Sequence, residues 1–387
     1  MLFIGNFNLL QPNAAGLRVL GLSKIFGILG YQSAFIGLRS SDDLEKDTDW
    51  NFEPPSYKHL CTANGLSWLL FRSRLRSITE EIEKVRPEFV VLYGSQTIFL
   101  LNIFIRLKCR RLGVRVLYDV VDWLESVGGS SWYRFVKNID TYFLKRVEPF
   151  RVDGIIVIST FLRSYYERRA SNVVLIPPVF NTDNFFLSEF REEIDKQSIW
   201  IYAGLPFSVN SGELDKSNFK DRLDIIIDLF YTLRDKNFRF IVYGLTADEY
   251  LSVVPNDSYK IKALSNKIEF KGKVSNSVVK LAYETADYVI LIRDKKRSSS
   301  AGFPTKIAEA VSHGVRAVTN DFGDMKLYLE DSKFGYILQS PESYISEMTD
   351  LISKSKMLNS EISGNDNYPF NYLNYSCEIS DLINRAK

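Results

Sequence analysis

Histidine, cysteine and net charge are scarce in this sequence. Its 387 residues include two histidines, His59 and His313, and three cysteines, Cys61, Cys109 and Cys377. The cysteines are odd in number, far apart and without CxxC spacing, which argues against a disulfide framework or a zinc site and suits a reducing compartment. His313 directly precedes a glycine at what reads as a helix end, where it serves the helix dipole. His59 lies in a stretch without pattern, so neither histidine is read as a ligand or a catalyst. The formal net charge is +2, too little for a chain that binds nucleic acid through bulk charge.

No hydrophobic run reaches the length needed to span a bilayer, and no low-complexity tract or fixed-period repeat is present. The opening MLFIGNFNLLQPNAAG has no basic residues before its apolar stretch. A cytoplasmic protein is therefore expected, either free or resting on the inner face of the cell membrane.

Against these absences stand 45% hydrophobic residues, enough in a chain of this length for two ordinary cores. Short apolar runs alternate with helical patterns. Strands are expected at 2–6, 33–38, 89–93, 114–119, 154–158 and 173–176, followed by a turn-rich Pro-Pro segment and a polar linker to about Gln197. A second series follows, with strands at 199–203, 238–243, 268–270, 288–292 and 316–319 and helices at 223–234, 276–285 and 304–313. The expected fold is α/β: two Rossmann-like, doubly wound domains over 1–180 and 198–367 facing a central cleft, with a helical tail at 368–387 crossing back to the first domain.

The strongest local signal is ADYVILIRDKKRSSSAGFPTKIAEAVSHGV, beginning at Ala286. An apolar strand leads into a Ser/Gly loop, and the helix that follows is opened by Pro304 and closed at Gly314, residue types suited to those two ends. The free N–H groups of such a helix form a phosphate site. Lys306 adds a cation in the first turn, and Glu309, three residues on, can accept hydrogen bonds from a ribose diol. Phosphate and ribose recognition on one helix points to a nucleotide.

At these residues the sequence resembles a known family. GFPTKIAEAVSHGV is similar to the donor-binding helix of family 4 retaining glycosyltransferases of the GT-B fold, which include bacterial enzymes building capsules, O-antigens and related glycans. NAAGLRVLGLSKIFGILGYQSAFIGL resembles the family's N-terminal loop, helix and second strand, while GIIVISTFLRSYY and NVVLIPPVFNTDNF resemble the end of its first domain and the crossover. The resemblance implies a hexosyltransferase that takes a nucleoside-diphosphate sugar, acts on a glycan or lipid-linked glycan acceptor, and needs no metal or other cofactor.

Carried over to this chain, the resemblance assigns donor ribose to Glu309. Ala301 stands where the family has its first glutamate, so backbone amides at Gly302 and Phe303, or the hydroxyls of Ser299 and Ser300, would take over contacts to the donor sugar. Pro304 and Thr305 complete that loop. Gly204 follows the first strand of the second domain, Lys220 matches the family's diphosphate lysine, and Arg222 substitutes for its arginine. Lys220 and Lys306 are then the two cations that neutralise the leaving diphosphate.

On the acceptor side, LYDVVDWLES offers Asp119 and Asp122 where similar enzymes often carry a histidine. Asp122, further into the loop, is the expected active-site member, with Trp123 beside it as a sugar-stacking aromatic. Asn13, Ala15 and Gly16 form a small-residue loop that approaches donor and acceptor, and Arg18 is placed to reach the same site.

The implied mechanism is a front-face substitution that retains anomeric configuration, with no nucleophilic side chain. Asp47-Thr48-Asp49 has the DxD form of metal-dependent transferases of the other major fold but lacks the expected flanking strand, and is read as chance. The run 99–111, with Arg72, Arg74 and Arg76, combines bulky apolar residues with cations and fits an anionic membrane surface as well as a core helix with a basic end. Two other functions share the fold: a catalytically inactive nucleotide-sugar-binding partner or sensor, and a nucleotide-sugar epimerase. A solute-binding protein is a weaker alternative.

Overall fold

The computed structural model describes residues 1–10, 13–40, 56–62, 71–94, 99–123, 131–180, 197–207, 219–330, 333–354 and 368–387. The chain divides into two compact units. One comprises Met1–Phe180, Ser300–Phe303 and Tyr372–Lys387, the other Asn181–Ser299 and Pro304–Asn371. Asp47-Thr48-Asp49 and most of the expected linker lie outside the described residues.

The first unit is built on β1 (Leu2–Gly5), β2 (Ala34–Ser40), β3 (Tyr57–Thr62), β4 (Phe89–Tyr93), β5 (Arg115–Val120), β6 (Gly154–Val157) and β7 (Val173–Leu175). They form a parallel sheet in the order β3-β2-β1-β4-β5-β6-β7. Every residue of β4 is buried, as a strand covered by helices on both faces requires. The connecting helices are α1 (Ala14–Ile28), α2 (Phe71–Val85), α3 (Phe99–Arg111), α4 (Ser131–Arg146) and α5 (Thr160–Tyr166).

Close backbone approach requires glycine at positions 5 and 21 of this unit. A Cβ on Gly5 would lie 2.6 Å from the Tyr93 carbonyl oxygen, and one on Gly21 in α1 would lie 2.3 Å from that of Val179. Any side chain there would push apart β1 and β4, or α1 and the end of the domain.

The second unit contains β8 (Ser198–Ala203), β9 (Phe238–Tyr243), β10 (Ile268–Gly272), β11 (Tyr288–Leu291), β12 (Arg316–Asn320) and β13 (Gly335–Leu338). Their parallel order is β10-β9-β8-β11-β12-β13. Its helices are α6 (Leu223–Thr232), α7 (Ala247–Val253), α8 (Ser258–Ala263), α9 (Asn276–Tyr283), α10 (Arg297–Ala301), α11 (Thr305–Ser312), α12 (Met325–Leu329) and α13 (Tyr344–Lys354); the last residues of α10 cluster with the first unit.

Trp200 anchors this second core. Fully buried, it stacks on Tyr288 with centroids 4.3 Å apart and meets the edge of Phe230 at 5.6 Å. Truncation to alanine would cost about 3–5 kcal/mol.

The strand order reverses between β1 and β4 in one sheet and between β8 and β11 in the other. At such switch points the loops leaving adjacent strands diverge to opposite faces and open a crevice at the strands' carboxyl ends. The last helix, α14 (Ser376–Ala386), belongs to the first unit: Ile379, Leu382 and Ile383 join its core cluster, and Asn172 Nδ2 donates to the Leu382 carbonyl at 3.0 Å. Tyr368 and Phe370 remain with the second, packing on Phe334 and Tyr328.

Candidate functional site

The β8/β11 switch point gathers a charged cluster from four chain segments. Tyr202, at the end of β8, is buried, and its hydroxyl donates to Asp221 Oδ2 at 2.7 Å. Asp221 lies just before α6, where its N–H and that of Lys220 both donate to the Pro206 carbonyl, turning the carboxylate inward. Arg293, two residues beyond β11, donates from Nε to Asp221 Oδ1 at 2.7 Å. Its backbone is fixed by Asn320, which accepts from the Arg293 N–H and donates to its carbonyl.

The fourth member comes from the first turn of α11. Lys306 Nζ lies 2.6 Å from Asp221 Oδ2 and 4.4 Å from the centroid of the Tyr202 ring. Gly204, with φ +133°, makes room for it: a Cβ there would sit 2.5 Å from Nζ.

Burial raises the Asp221 carboxyl's affinity for a proton, but Lys306 and Arg293 outweigh it and hold the group well below the ordinary carboxylate range. Lys306 is instead lowered, to about 8, because burial and the Arg293 guanidinium together exceed the pull of Asp221. The pair does not shift symmetrically, since two cations compete for one carboxylate.

Further along α11, Glu309 is 6% exposed and accepts a hydrogen bond from Asn276 Nδ2 at 3.2 Å. Burial raises its pKa against the opposing pull of Lys280, His313 and Asn276. No side chain caps the N-terminus of α11 at Pro304, which leaves that end suited to an anion. Lys306 and Glu309 thus lie about one turn apart on one helix, the first in a cationic environment and the second as a hydrogen-bond acceptor.

The other expected donor residues stand at the margin of this cluster or outside it. Lys220 is exposed, while the residue next to it points into the site. Arg222 forms a fork with Asp224 through two 2.9 Å hydrogen bonds and also binds Asp294. Those bonds, led by the one to Asp224, raise its pKa; it braces the start of α6. Pro304 is buried and Thr305 half-buried at the start of α11, while Ser300, Ala301, Gly302 and Phe303 cluster with the first unit. Ala301 is fully buried, and its carbonyl accepts from Ser159 Oγ at 2.7 Å. The Ser299 hydroxyl is engaged with the carbonyls of Asp294 and Lys296.

In the first unit Asn13 caps α1, its Oδ1 accepting from the N–H groups of Ala15 and Gly16. Arg18 corrects the expectation of an acceptor-binding side chain. It is 2% exposed and forked onto Asp119 through 2.9 and 3.2 Å hydrogen bonds, and it donates to the carbonyls of Ile176 and Pro177. It ties α1 to the ends of β5 and β7.

Trp123 is likewise displaced from its expected role. It is 9% exposed, meets Phe161 and Tyr165 edge to face, and is covered by Lys145 with Nζ 4.5 Å from the ring centroid, so it packs the domain rather than offering a stacking face. Asp122 is exposed and accepts from the Trp123 N–H.

Sequence reasoning missed Asp221, Arg293, Tyr202 and Asn276. Arg293 opens RDKKRSSS, where it is one of four cations at the start of the Ser/Gly loop and nothing singles it out, and no pattern in KDRLD tells which of Lys220 and Asp221 turns inward. A cavity of about 510 Å³ between α6 and α13 shares Arg293 with the cluster but includes neither Lys306 nor Glu309.

Residues 209–354 match the family model described as glycosyl transferases group 1. Among solved structures, the lipopolysaccharide outer core galactosyltransferase WaaB in its apo form is similar over 99% of this chain and 98% of its own, at 12% identity and TM-score 0.60. HepE of Anabaena, in complex with UDP and glucose, is similar over 99% of both chains, at 14% identity and TM-score 0.63. UDP-GlcNAc 2-epimerase from Methanocaldococcus jannaschii is similar over 99% of this chain and 98% of its own, at 13% identity and TM-score 0.57. The search of curated proteins found no match. At these identities the likeness shows the fold, which is GT-B.

Proposed function

We propose, for a GT-B chain whose residues 209–354 match the group 1 glycosyl transferase model, that it moves a sugar from a nucleoside diphosphate onto an acceptor hydroxyl. One observation carries this reading: α11 presents Lys306, in a cluster with Arg293 and Asp221, and one helical turn later the buried carboxylate of Glu309. A diphosphate suits the first and a ribose diol the second.

In the proposed step the bond between the anomeric carbon and the β-phosphate oxygen breaks, and its electron pair leaves with the diphosphate. The acceptor oxygen forms the new glycosidic bond, and its proton passes to the departing phosphate oxygen. Lys306 and the N–H groups opening α11 stabilise the charge that develops on the leaving group. These groups do the work without a divalent metal. The reading extends to retention of anomeric configuration, by resemblance to family 4, and to a glycan or lipid-linked glycan acceptor.

Attachment to the anionic inner face of the cell membrane, from the cytoplasm, is part of the same proposal. Its support is charge complementarity on the first unit. On α3, Phe104 and Leu107 are 44% and 41% exposed beside the exposed Arg110 and Arg111; on α4, Phe135, Ile139 and Tyr142 are exposed along one stripe with Arg146. Among the described residues no helix is long and apolar enough to cross a membrane.

A second reading, an inactive nucleotide-sugar-binding partner or sensor, rests on Ala301, whose buried methyl stands where the family's first glutamate is expected. Incubation with a panel of nucleoside-diphosphate sugars and glycan or lipid-linked acceptors, in the presence of EDTA, separates the two. Product with retained anomeric configuration supports the transferase reading. Nucleotide binding without turnover favours the sensor, and an inverted product removes the chain from the retaining class.

A further inference from the structure

The role of Asp221 is not explained by donor binding alone. A carboxylate inside a diphosphate site repels the ligand, yet Asp221 is 0% exposed at its centre. Three groups converge on it: the Tyr202 hydroxyl from β8, the Arg293 guanidinium from the segment after β11, and the Lys306 ammonium from α11. Without the carboxylate, two cations would face each other in a largely buried place and separate. With it, both are held, and one positive charge remains unmatched.

We propose that Asp221 is a positioning residue for the donor's diphosphate: it holds Lys306 and Arg293 against each other, so that the cluster keeps one surplus positive charge at the N-terminus of α11. The inference rests on the donor-site reading given above and names the residue that arms that site.

The cluster then has a signature that a purely structural ion pair lacks. The groups facing Lys306 are Asp221, Arg293, Tyr202 and, from the surface side, Lys220. In the free protein Lys306 titrates near 8, and a bound diphosphate favours its charged form. Affinity for a nucleoside diphosphate therefore holds below that pH and falls by about tenfold per unit above it, because the proton must be restored on binding. The ligand's terminal phosphate, with a pKa of about 6, is already ionised in that range.

Asp221 and Arg293 act on Lys306 with opposite signs. Asp221→Asn keeps a hydrogen-bond acceptor for Tyr202 and Lys306 but removes the charge that favours the ammonium, so the break moves to lower pH. Arg293→Gln removes a repelling cation, so the break moves to higher pH. Lys306→Arg, which does not titrate in this range, abolishes it.

The experiment is calorimetric titration of the full chain with UDP, GDP and ADP from pH 7 to 9.5, for wild type and the three variants, each checked by thermal melting. Opposite displacements in Asp221→Asn and Arg293→Gln, each of about a unit, are the expected result. If Asp221→Asn does not fold, the upward shift in Arg293→Gln and the loss of the break in Lys306→Arg carry the test. Breaks left at the wild-type pH in the variants that fold overturn the positioning role while leaving the donor site standing. Absence of binding to wild type at every pH overturns the donor-site reading itself.

Discussion

Lys306 and Asp221, 85 residues apart in the chain, meet with 2.6 Å between Nζ and Oδ2. That contact joins the helix carrying the resemblance to the loop before α6, and it brings Asp221, the residue beside the expected Lys220, into the candidate site. The consequences can be tested residue by residue.

Glu309 accepts from Asn276 and is 6% exposed, so a ligand hydrogen bond to it would form in a largely desolvated place. Glu309→Ala is expected to weaken nucleotide binding by about 10- to 100-fold, the ~1.5–3 kcal/mol of a hydrogen bond to a charged group. Fluorescence or calorimetric titration reads the effect; unchanged affinity would remove Glu309 from the site.

Gly204 lies under the Lys306 ammonium at φ +133°. Gly204→Ala puts a methyl 2.5 Å from Nζ, displacing the ammonium, and strains the backbone by about 1–3 kcal/mol. A lower melting temperature and loss of nucleotide affinity together are expected, whereas stability loss with full affinity would mean that the Lys306 position is immaterial to binding.

Arg18 and Asp119 are 2% and 0% exposed. Arg18→Met leaves a buried, uncompensated carboxylate and is expected to cost about 3–5 kcal/mol in chemical denaturation. The double variant Arg18→Met, Asp119→Asn should recover part of that loss. If the single variant is as stable as wild type and only acceptor affinity falls, the original acceptor-binding assignment is restored.

The exposed stripe of Phe135, Ile139 and Tyr142 with Arg146 on α4 predicts flotation with vesicles rich in phosphatidylglycerol, decreasing with salt, and little flotation with phosphatidylcholine alone. Phe135→Ser with Tyr142→Ser should reduce it several-fold. Equal flotation of wild type and double variant would dismiss this face.

The elements legible in the sequence are those whose residues have one structural use. FVVLY at 89–93 is a strand buried on both faces, and the Pro304 to Gly314 helix announces both its ends. β3, reading YKHLCT, and β13, reading GYIL, were missed because both are edge strands, only partly covered, whose apolar pattern is weaker than that of the central strands. In the candidate site, the placement of Lys306 and Glu309 on one helix was legible because a helix fixes their spacing. Asp221 and Arg293 were not, because their meeting depends on how two loops turn at the ends of β8 and β11. Arg18 and Trp123 misled because arginines and tryptophans near a strand's carboxyl end serve packing as readily as ligands, and only burial and partners distinguish the two.

The most direct test is thermal stability of the purified chain against uridine, guanosine and adenosine diphosphates and their sugars, for wild type, Glu309→Ala and Lys306→Ala. Selective stabilisation of wild type by one base, lost in both variants, is the predicted result. No stabilisation by any nucleotide, or equal stabilisation of all three proteins, would contradict a donor site on this helix.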